Sequence, residues 1–310
     1  MSQTSSASVR LGTRGSPLAR WQAEWVAAQL TRLGVETILV PITTSGDRHT
    51  EGTIGSLGDR GVFTREIQLA LLERRIDLAV HSLKDLPTDH VPGLCLAAVP
   101  ERGPVGDVFV SRDHPSLAQL PPQAVVGTGS LRRRAQLLHQ RRDFVLQDVR
   151  GNVDTRLRKL DEGRYDALIL AEAGLVRLGL AAHVTERLRP EIMMPAVGQG
   201  ALGLETRCDD SVTRTLIERL DHRDTHAAVL AERSMLAALC GGCLAPIAAL
   251  GAVRDGTLTL IGRVLHPEGT TRLDAEASSS PEYATSLGQQ VAESLIAQGA
   301  SDLIGAARQP

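Results

Sequence analysis

A cluster of polar side chains follows a short apolar run in the first third of the chain. Residues 76–80 suit a buried strand of an α/β sheet, and the composition turns polar at residues 81–85, His-Ser-Leu-Lys-Asp. Pro87 prevents an ordinary helix or strand from continuing. Ligands of open α/β sheets bind just outside the carboxyl ends of the strands. Lys84 and Asp85 are therefore predicted to contact one small ligand at this edge.

The identity of the cation in this cluster carries information. The chain has 34 Lys and Arg residues, and the only lysines among them are Lys84 and Lys159. A lysine kept at position 84 indicates that a compact ammonium is needed rather than a planar guanidinium. The alternative is a helix cap followed by a solvated ion pair, which is the usual interpretation of an arbitrary Lys-Asp dipeptide. Arg158 and Lys159 are predicted to be solvated surface.

Composition restricts the class of protein. A chain of 310 residues with 42% hydrophobic residues can form two or three domains with real cores. A net charge of −2 argues against general nucleic-acid binding, which needs a basic surface. No apolar run approaches the roughly 20 residues of a membrane span, and residues 1–8 do not resemble a signal peptide. The chain is predicted to be cytoplasmic, with its cysteines reduced.

Alternating strand and helix patterns predict an α/β fold in which the polar clusters lie at strand ends. The pattern restarts after a Pro- and Gly-rich linker near residue 103, and residues 201–205 resemble a strand that returns to the first sheet. We predict a discontinuous first α/β domain, a second α/β domain and a small α+β domain. Their bounds are 1–102 with 201–221, 103–200, and 222–310.

Residues 44–62 form a long, glycine-punctuated polar segment. A structureless segment of this length inside a compact domain is usually a lid or a disordered insert. It is predicted to be a lid that carries Arg60 and ends at Phe63.

Arginines and hydroxyls recur where a predicted strand gives way to a helix. In residues 128–134, Thr-Gly-Ser-Leu-Arg-Arg-Arg, backbone amides, hydroxyls and guanidiniums together make an anion cradle. A capped helix with a basic face is the alternative. The pattern recurs at Arg14 with Ser16, at Arg150 with Arg156, and near Arg177. Because arginine binds carboxylates bidentately, a ligand with many carboxylates is predicted.

Cys240-Gly-Gly-Cys243 permits three interpretations. A redox pair normally opens a helix, whereas this motif follows one. A zinc half-site needs a second pair, and Cys95 and Cys208 are isolated. The third interpretation is one functional thiol on a glycine loop. The nine histidines form no metal cluster, and His81 is predicted to have a supporting role.

These motifs, taken in order from about residue 9 to 250, closely resemble those of the porphobilinogen deaminase family. The shared segments are residues 13–19, 61–63, 81–87, 127–133, 150–156, 173–178, 198–201 and 241–243. The resemblance implies two domains like those of periplasmic binding proteins, with a cleft between them. It also implies that the third domain carries a dipyrromethane cofactor, covalently bound through Cys243.

The reaction implied by the resemblance is the head-to-tail condensation of four porphobilinogen molecules, with release of ammonia, followed by hydrolysis to hydroxymethylbilane in haem biosynthesis. Loss of ammonia leaves a cationic azafulvene, which a carboxylate beside the pyrrole nitrogens stabilises. Asp85 is assigned this role.

Each pyrrole carries an acetate and a propionate, so the remaining site residues are cations and hydrogen-bond donors. By motif match, the cofactor contacts are Lys84, Ser82, Thr128, Ser130, Arg132, Arg133 and Arg156, and the substrate contacts are Arg14, Ser16, Arg150, Arg177 and Gln199. No metal, nucleic acid or membrane partner is expected. A monomer is predicted, with the product passing to the next enzyme of the pathway.

This sequence departs from the family pattern at a few positions. Asp59-Arg60 stands in the lid where the family usually has lysine, Cys240 replaces a common acidic residue, and Leu244 replaces a polar one. Cys240 leaves open whether Cys243 is the only functional thiol of the loop. A non-enzymatic solute-binding module and a thiol oxidoreductase that uses both cysteines are the competing function classes.

Overall fold

The computed structural model describes residues 8–44, 64–239 and 245–307. The predicted lid residues Arg60 and Phe63 lie outside the described residues, as do Cys240 and Cys243. Within the described residues, no helix is both long enough and apolar enough to cross a lipid bilayer.

The described chain alternates strands and helices through its first two thirds, which confirms the α/β prediction. The strands are β1 (Val9–Thr13), β2 (Thr37–Pro41), β3 (Leu78–Ser82), β4 (Leu94–Ala98), β5 (Asp107–Val110), β6 (Val125–Gly127), β7 (Val145–Gln147), β8 (Ala167–Ala171), β9 (Glu186–Arg187), β10 (Leu202–Arg207), β11 (Ile247–Arg254), β12 (Thr257–Leu265) and β13 (Arg272–Ser279). The helices are α1 (Pro17–Arg32), α2 (Arg65–Leu72), α3 (Leu131–Gln140), α4 (Val153–Asp161), α5 (Glu172–Arg177), α6 (Ser211–Ile217), α7 (Arg223–Ala238), α8 (Ala284–Ala297) and α9 (Ala300–Ala306).

Two five-stranded sheets share one topology. The first has the order β2-β1-β3-β10-β4, in which β1, β2 and β3 are parallel and β10 is antiparallel to both neighbours. The second has the order β7-β6-β8-β5-β9, with three parallel strands followed by the antiparallel β5. In each sheet the antiparallel strand is therefore inserted between the third parallel strand and an edge strand.

The C-terminal sheet is antiparallel, β11-β12-β13, and packs against α7 and α8. The two helices approach closely at Gly288, where an added Cβ would lie 2.4 Å from the carbonyl oxygen of Ala231. Helix α8 ends at Ala297, and Gly299, whose φ is 100°, lets the chain turn into α9. The sequence pattern did not reveal α9 as a separate helix.

The chain divides into two compact units, residues 1–102 with 201–223, and residues 103–200 with 224–310. The first unit holds the first sheet, whose core is built from Leu11, Leu78 and Leu204 with the apolar face of α1. The second unit holds the second and third sheets, so the domain boundary at residue 222 stays a prediction.

The strand before the polar cluster lies two residues further along than predicted. His81 and Ser82 are the last residues of β3 rather than the first residues after it. The cause is long-range, because β10 pairs with the polar end of β3 through Leu202 opposite Ser82 and Gly203 opposite His81. The cluster beyond the strand is thereby shortened to the 3₁₀ turn Leu83–Asp85.

Candidate anion-binding and catalytic site

The first unit brings four of its predicted site residues to one edge of a sheet. Since β1 and β3 are parallel neighbours, the segments that follow them leave the same edge. Arg14 and Ser16 follow β1, and Lys84 and Asp85 follow β3. Ser16 also caps α1, accepting a hydrogen bond of 3.3 Å from the amide of Ala19, which confirms the predicted helix start.

Ser82 is fixed at the end of β3 by a buried side chain. The Gln22 amide nitrogen donates to the Ser82 hydroxyl at 2.8 Å, and Gln22 is only 2% exposed. Its neighbour His81 faces the other way and contacts a carboxylate oxygen of buried Glu205 at 3.1 Å. The same carboxylate accepts from Gln68 at 3.0 Å. His81 is thus engaged in supporting the sheet.

Asp85 is exposed at the end of a turn whose first residue is buried. Leu83, which opens the turn, is buried and its amide donates to the carbonyl of Ala201 at 3.0 Å. Lys84 is half-buried. Among the described residues the Asp85 carboxylate accepts no hydrogen bond, so its oxygens remain available to a ligand.

In the second unit, the predicted anion cradle surrounds the start of α3. Thr128 is buried, its amide donates to the carbonyl of Gln147 at 2.9 Å, and its hydroxyl accepts from the amide of Ser130 at 3.2 Å. Ser130 caps the helix by accepting from the amide of Arg133 at 3.4 Å. Both hydroxyls therefore stand where the amides of a helix start already favour negative charge.

Arg132 and Arg133 are both buried around one carboxylate that the sequence analysis missed. Asp107 opens β5 and is 0% exposed; it accepts from Arg132 Nη1 at 2.7 Å and from Arg133 Nη2 at 2.7 Å. Arg133 Nη1 donates to the carbonyl of Ile169 at 2.8 Å, and Arg132 Nη1 donates to the carbonyl of Met194 at 2.5 Å. In the sequence, Asp107 is a single aspartate at the start of an apolar strand, and nothing in that local pattern indicates that two arginines pair with it.

The two arginines differ in which of their N–H groups remain available to a ligand. Arg133 uses Nε, Nη1 and Nη2 for protein acceptors. Among the described residues, Arg132 contacts acceptors through Nη1, and its Nε and Nη2 groups are neither bonded nor fully enclosed. Two guanidiniums against one carboxylate leave an excess positive charge. Arg132 thus offers a free guanidinium edge, and Arg133 contributes charge.

Asp107 should dominate the acid stability of the second unit. Burial alone would raise its pKa, but Arg132 and Arg133 hold the pKa at about 2, below the ordinary value of 3.8. Because the pKa of Asp107 is lower in the folded than in the unfolded protein, its carboxylate adds on the order of 2 kcal/mol to the free energy of unfolding above about pH 4. That contribution is lost as the pH falls toward 2. Urea unfolding should therefore show little change from this group between pH 8 and 5, and a steep loss below pH 4.

Asp107→Asn should cost about 3–5 kcal/mol of unfolding free energy at pH 7, since it leaves two buried guanidiniums without a counter-charge. Asp113→Asn, on an exposed ion pair with Arg112, is the matched control and should unfold like the parent. An Asp107→Asn protein as stable as this control would contradict the assignment.

Three side chains donate hydrogen bonds to backbone carbonyls of the turn that contains Arg150. Tyr165 donates to the carbonyl of Asp148 at 2.9 Å, Lys159 Nζ to the carbonyl of Arg150 at 3.1 Å, and Arg156 Nε to the carbonyl of Gly151 at 2.8 Å. The prediction that Lys159 is a solvated surface residue is wrong, because its ammonium reaches back over α4 to this carbonyl. Arg156 is thus hydrogen-bonded to the turn that contains Arg150.

Arg177 and Gln199 meet at the segment that leads out of the second unit. Arg177 Nη2 donates to the carbonyl of Gly200 at 2.6 Å, and burial lowers the pKa of Arg177 to about 10. Gln199 is 1% exposed and donates to the carbonyl of Val105 at 2.8 Å and to Asp107 at 3.1 Å. In this structure Gln199 supports the Asp107 cluster, and its predicted contact with substrate stays a prediction.

Two family models match this chain. "Porphobilinogen deaminase, dipyromethane cofactor binding domain" matches residues 9–215, and "Porphobilinogen deaminase, C-terminal domain" matches residues 226–297.

Curated relatives are similar over nearly the whole chain. Porphobilinogen deaminase of Desulforudis audaxviator is 48% identical over 302 residues, 97% of this chain and 98% of that protein. Porphobilinogen deaminase of Syntrophotalea carbinolica is 46% identical over 304 residues, 97% of this chain and 96% of that protein. Among solved structures, a periplasmic substrate-binding protein of an ABC transporter from Coxiella burnetii aligns with a TM-score of 0.44 at 16% identity, covering 68% of this chain and 91% of that one.

Proposed function

This chain belongs to the porphobilinogen deaminase family, and from that membership we propose which of its side chains carry the family's reaction. The enzyme is a transferase that joins four porphobilinogen molecules head to tail, releases ammonia at each step and yields hydroxymethylbilane for tetrapyrrole biosynthesis. Its cofactor is dipyrromethane, which supplies, when bound, the terminal pyrrole to which the first substrate is joined. We assign the covalent attachment to Cys243.

The charge distribution of the second unit supports a polycarboxylate cofactor. The cluster of Arg132, Arg133 and Asp107 has one positive charge in excess, and burial makes that charge costly unless an anion accompanies it. Arg132 presents its free Nε and Nη2 groups as a fork that suits a carboxylate. This free edge above a buried counter-charge is the single observation that carries the proposal. The hydroxyls of Thr128 and Ser130 and the amides at the start of α3 complete the donor set.

The edge of the first sheet supplies groups of a different kind. Asp85 is an exposed carboxylate on a turn anchored by Leu83, so it can meet the positive charge that develops on a pyrrole nitrogen without rearranging. It can also accept and return the proton of that nitrogen. Lys84, half-buried beside it, would hold a carboxylate of the cofactor, and Ser82 would be kept in place by Gln22.

The remaining cations are proposed to receive substrate carboxylates. Arg14 and Ser16 would act from the first unit, and Arg150 and Arg177 from the second. Arg156, whose Nε donates to the carbonyl of Gly151, is assigned to the cofactor contacts by its place in the family motif. Arg60 and Phe63 are proposed lid contacts. A monomer in the cytoplasm, which hands its product to the next enzyme, completes the proposal.

The experiment that tests the proposal is intact-mass spectrometry of the purified protein combined with a product assay. The protein should exceed its sequence mass by one dipyrromethane, and porphobilinogen should add further pyrrole units and be released as hydroxymethylbilane. A protein with the unmodified mass that releases no ammonia from porphobilinogen would overturn it. A solute-binding module would bind the substrate without any covalent adduct, and a thiol oxidoreductase would show a dithiol titration linked to its activity.

A further inference from the structure

Gln136 is a buried polar side chain that none of the assigned roles uses. It lies one helical turn beyond Arg132 on α3 and is 1% exposed. Its amide nitrogen donates to the carbonyl of Met194 at 3.0 Å, and its amide oxygen accepts from the amide of Met194 at 2.8 Å. The amide group of Gln136 is therefore fixed in one orientation against the segment that bears Met194.

The same amide oxygen also accepts a hydrogen bond from the third sheet. Arg263 on β12 is 3% exposed, and its Nη1 donates to Gln136 Oε1 at 3.0 Å and to the carbonyl of Pro190 at 3.1 Å. Its Nε donates to Asp274 on β13 at 2.7 Å. Arg263 thus connects the C-terminal sheet to α3 and to the loop before Met194.

Met194 completes the path to the anion site. Its carbonyl oxygen accepts from both Gln136 Nε2 and Arg132 Nη1. Arg132 Nη1 is the group whose two hydrogen bonds set the direction of the free guanidinium edge. Arg263 is therefore connected, through the Gln136 amide, to the carbonyl that orients Arg132.

We propose that Arg263 and Gln136 are positioning residues, which align the free edge of Arg132 with the sheet whose first strand begins four residues after Cys243. The inference rests on the proposed function, because it assumes that a cofactor attached at Cys243 places a carboxylate on Arg132. The catalytic groups touch the ligand, whereas Arg263 acts through Gln136 and Met194.

Arg263→Met tests this path without creating an unpaired charge. In this variant Asp274 remains paired with Arg272, whose Nη2 lies 2.5 Å from it, and Gln136 retains both hydrogen bonds to Met194. The variant should fold and carry the cofactor, with a kcat about tenfold lower and a smaller change in KM. Intact mass should show a larger unloaded fraction than in the parent, and partly extended covalent intermediates should accumulate. Arg263→Lys, which keeps the positive charge on a single donor nitrogen, should recover part of the loss.

Arg272→Met is the matched control. Arg272 shares Asp274 and the carbonyl of Glu191 with Arg263, but it donates no hydrogen bond to Gln136. This variant should keep the parent's kcat, KM and degree of cofactor loading. Melting temperatures of all variants separate a loss of stability from a loss of alignment.

A double variant shows whether Arg263 acts through Arg132. If it does, Arg263→Met introduced into an Arg132→Lys background should reduce kcat by less than about twofold, since the group to be aligned has already been replaced. The inference is overturned if Arg263→Met keeps the parent's kcat and loading, or if the tenfold loss persists in the double variant. A parent without any cofactor mass would instead reject the proposed function.

Discussion

Cys243→Ser is expected to abolish turnover and to remove the dipyrromethane mass from the purified protein. A thiolate is the stronger nucleophile toward an electrophilic pyrrole carbon, and a serine hydroxyl at neutral pH offers almost no oxyanion to replace it. The protein should still fold, because the substitution changes one atom of a side chain. Intact mass should equal the sequence mass, and porphobilinogen should remain unconsumed.

Cys240→Ala is the matched control, three residues earlier in the same Cys-Gly-Gly-Cys motif. It should retain the adduct and the activity. Cleavage after Arg233 and Arg254 yields one peptide with both cysteines, so fragmentation of that peptide assigns the modified sulfur directly. Equal loss of the adduct in both variants, or an adduct located on Cys240, would reject the assignment of Cys243.

Asp85→Asn is expected to lower kcat by about 10²–10³-fold, which corresponds to about 2.7–4 kcal/mol of activation free energy. The amide has the size of the carboxylate but not its charge, so it cannot stabilise positive charge on a pyrrole nitrogen. The exposed position on the 3₁₀ turn means that the fold should not change. Stopped-flow measurement of ammonia release, with intact mass to confirm cofactor loading, is the appropriate assay.

Two further variants sharpen this test. Asp85→Glu keeps the charge but displaces it by one methylene, so its kcat should lie between those of the parent and Asp85→Asn. Asp89→Asn removes an exposed carboxylate four residues further along the same connection and should behave like the parent. Near-normal turnover in Asp85→Asn would assign the role to another group.

Much of the fold was determined by local sequence patterns. Ser16 before Pro17 predicted the start of α1, and Ser130 predicted that of α3, because a cap depends on the residues within one turn. The alternation of elements predicted an α/β fold. The strand near residues 201–205 was predicted from its own apolar run, and the structure places it as β10 between β3 and β4.

Other features depended on residues far apart in the chain. The sequence showed three consecutive arginines after a cap, but it did not show that Arg132 and Arg133 turn inward around Asp107, some 25 residues earlier. The prediction for Lys159 failed for the same reason, since the helix geometry of α4 and the turn before it bring its ammonium to the Arg150 carbonyl.

The sequence by itself determined which chemical groups the proposed site contains, because the motifs place carboxylate, ammonium, guanidinium and thiol at fixed local spacings. Only the tertiary structure decided which donors remain free, since that depends on acceptors contributed by other segments. Arg132 retains an open edge whereas Arg133 does not, although the two are neighbours on one helix. The hydrogen bond from Arg263 to Gln136 joins the third sheet to helix α3 across 127 residues of sequence, and no local pattern encodes such a contact.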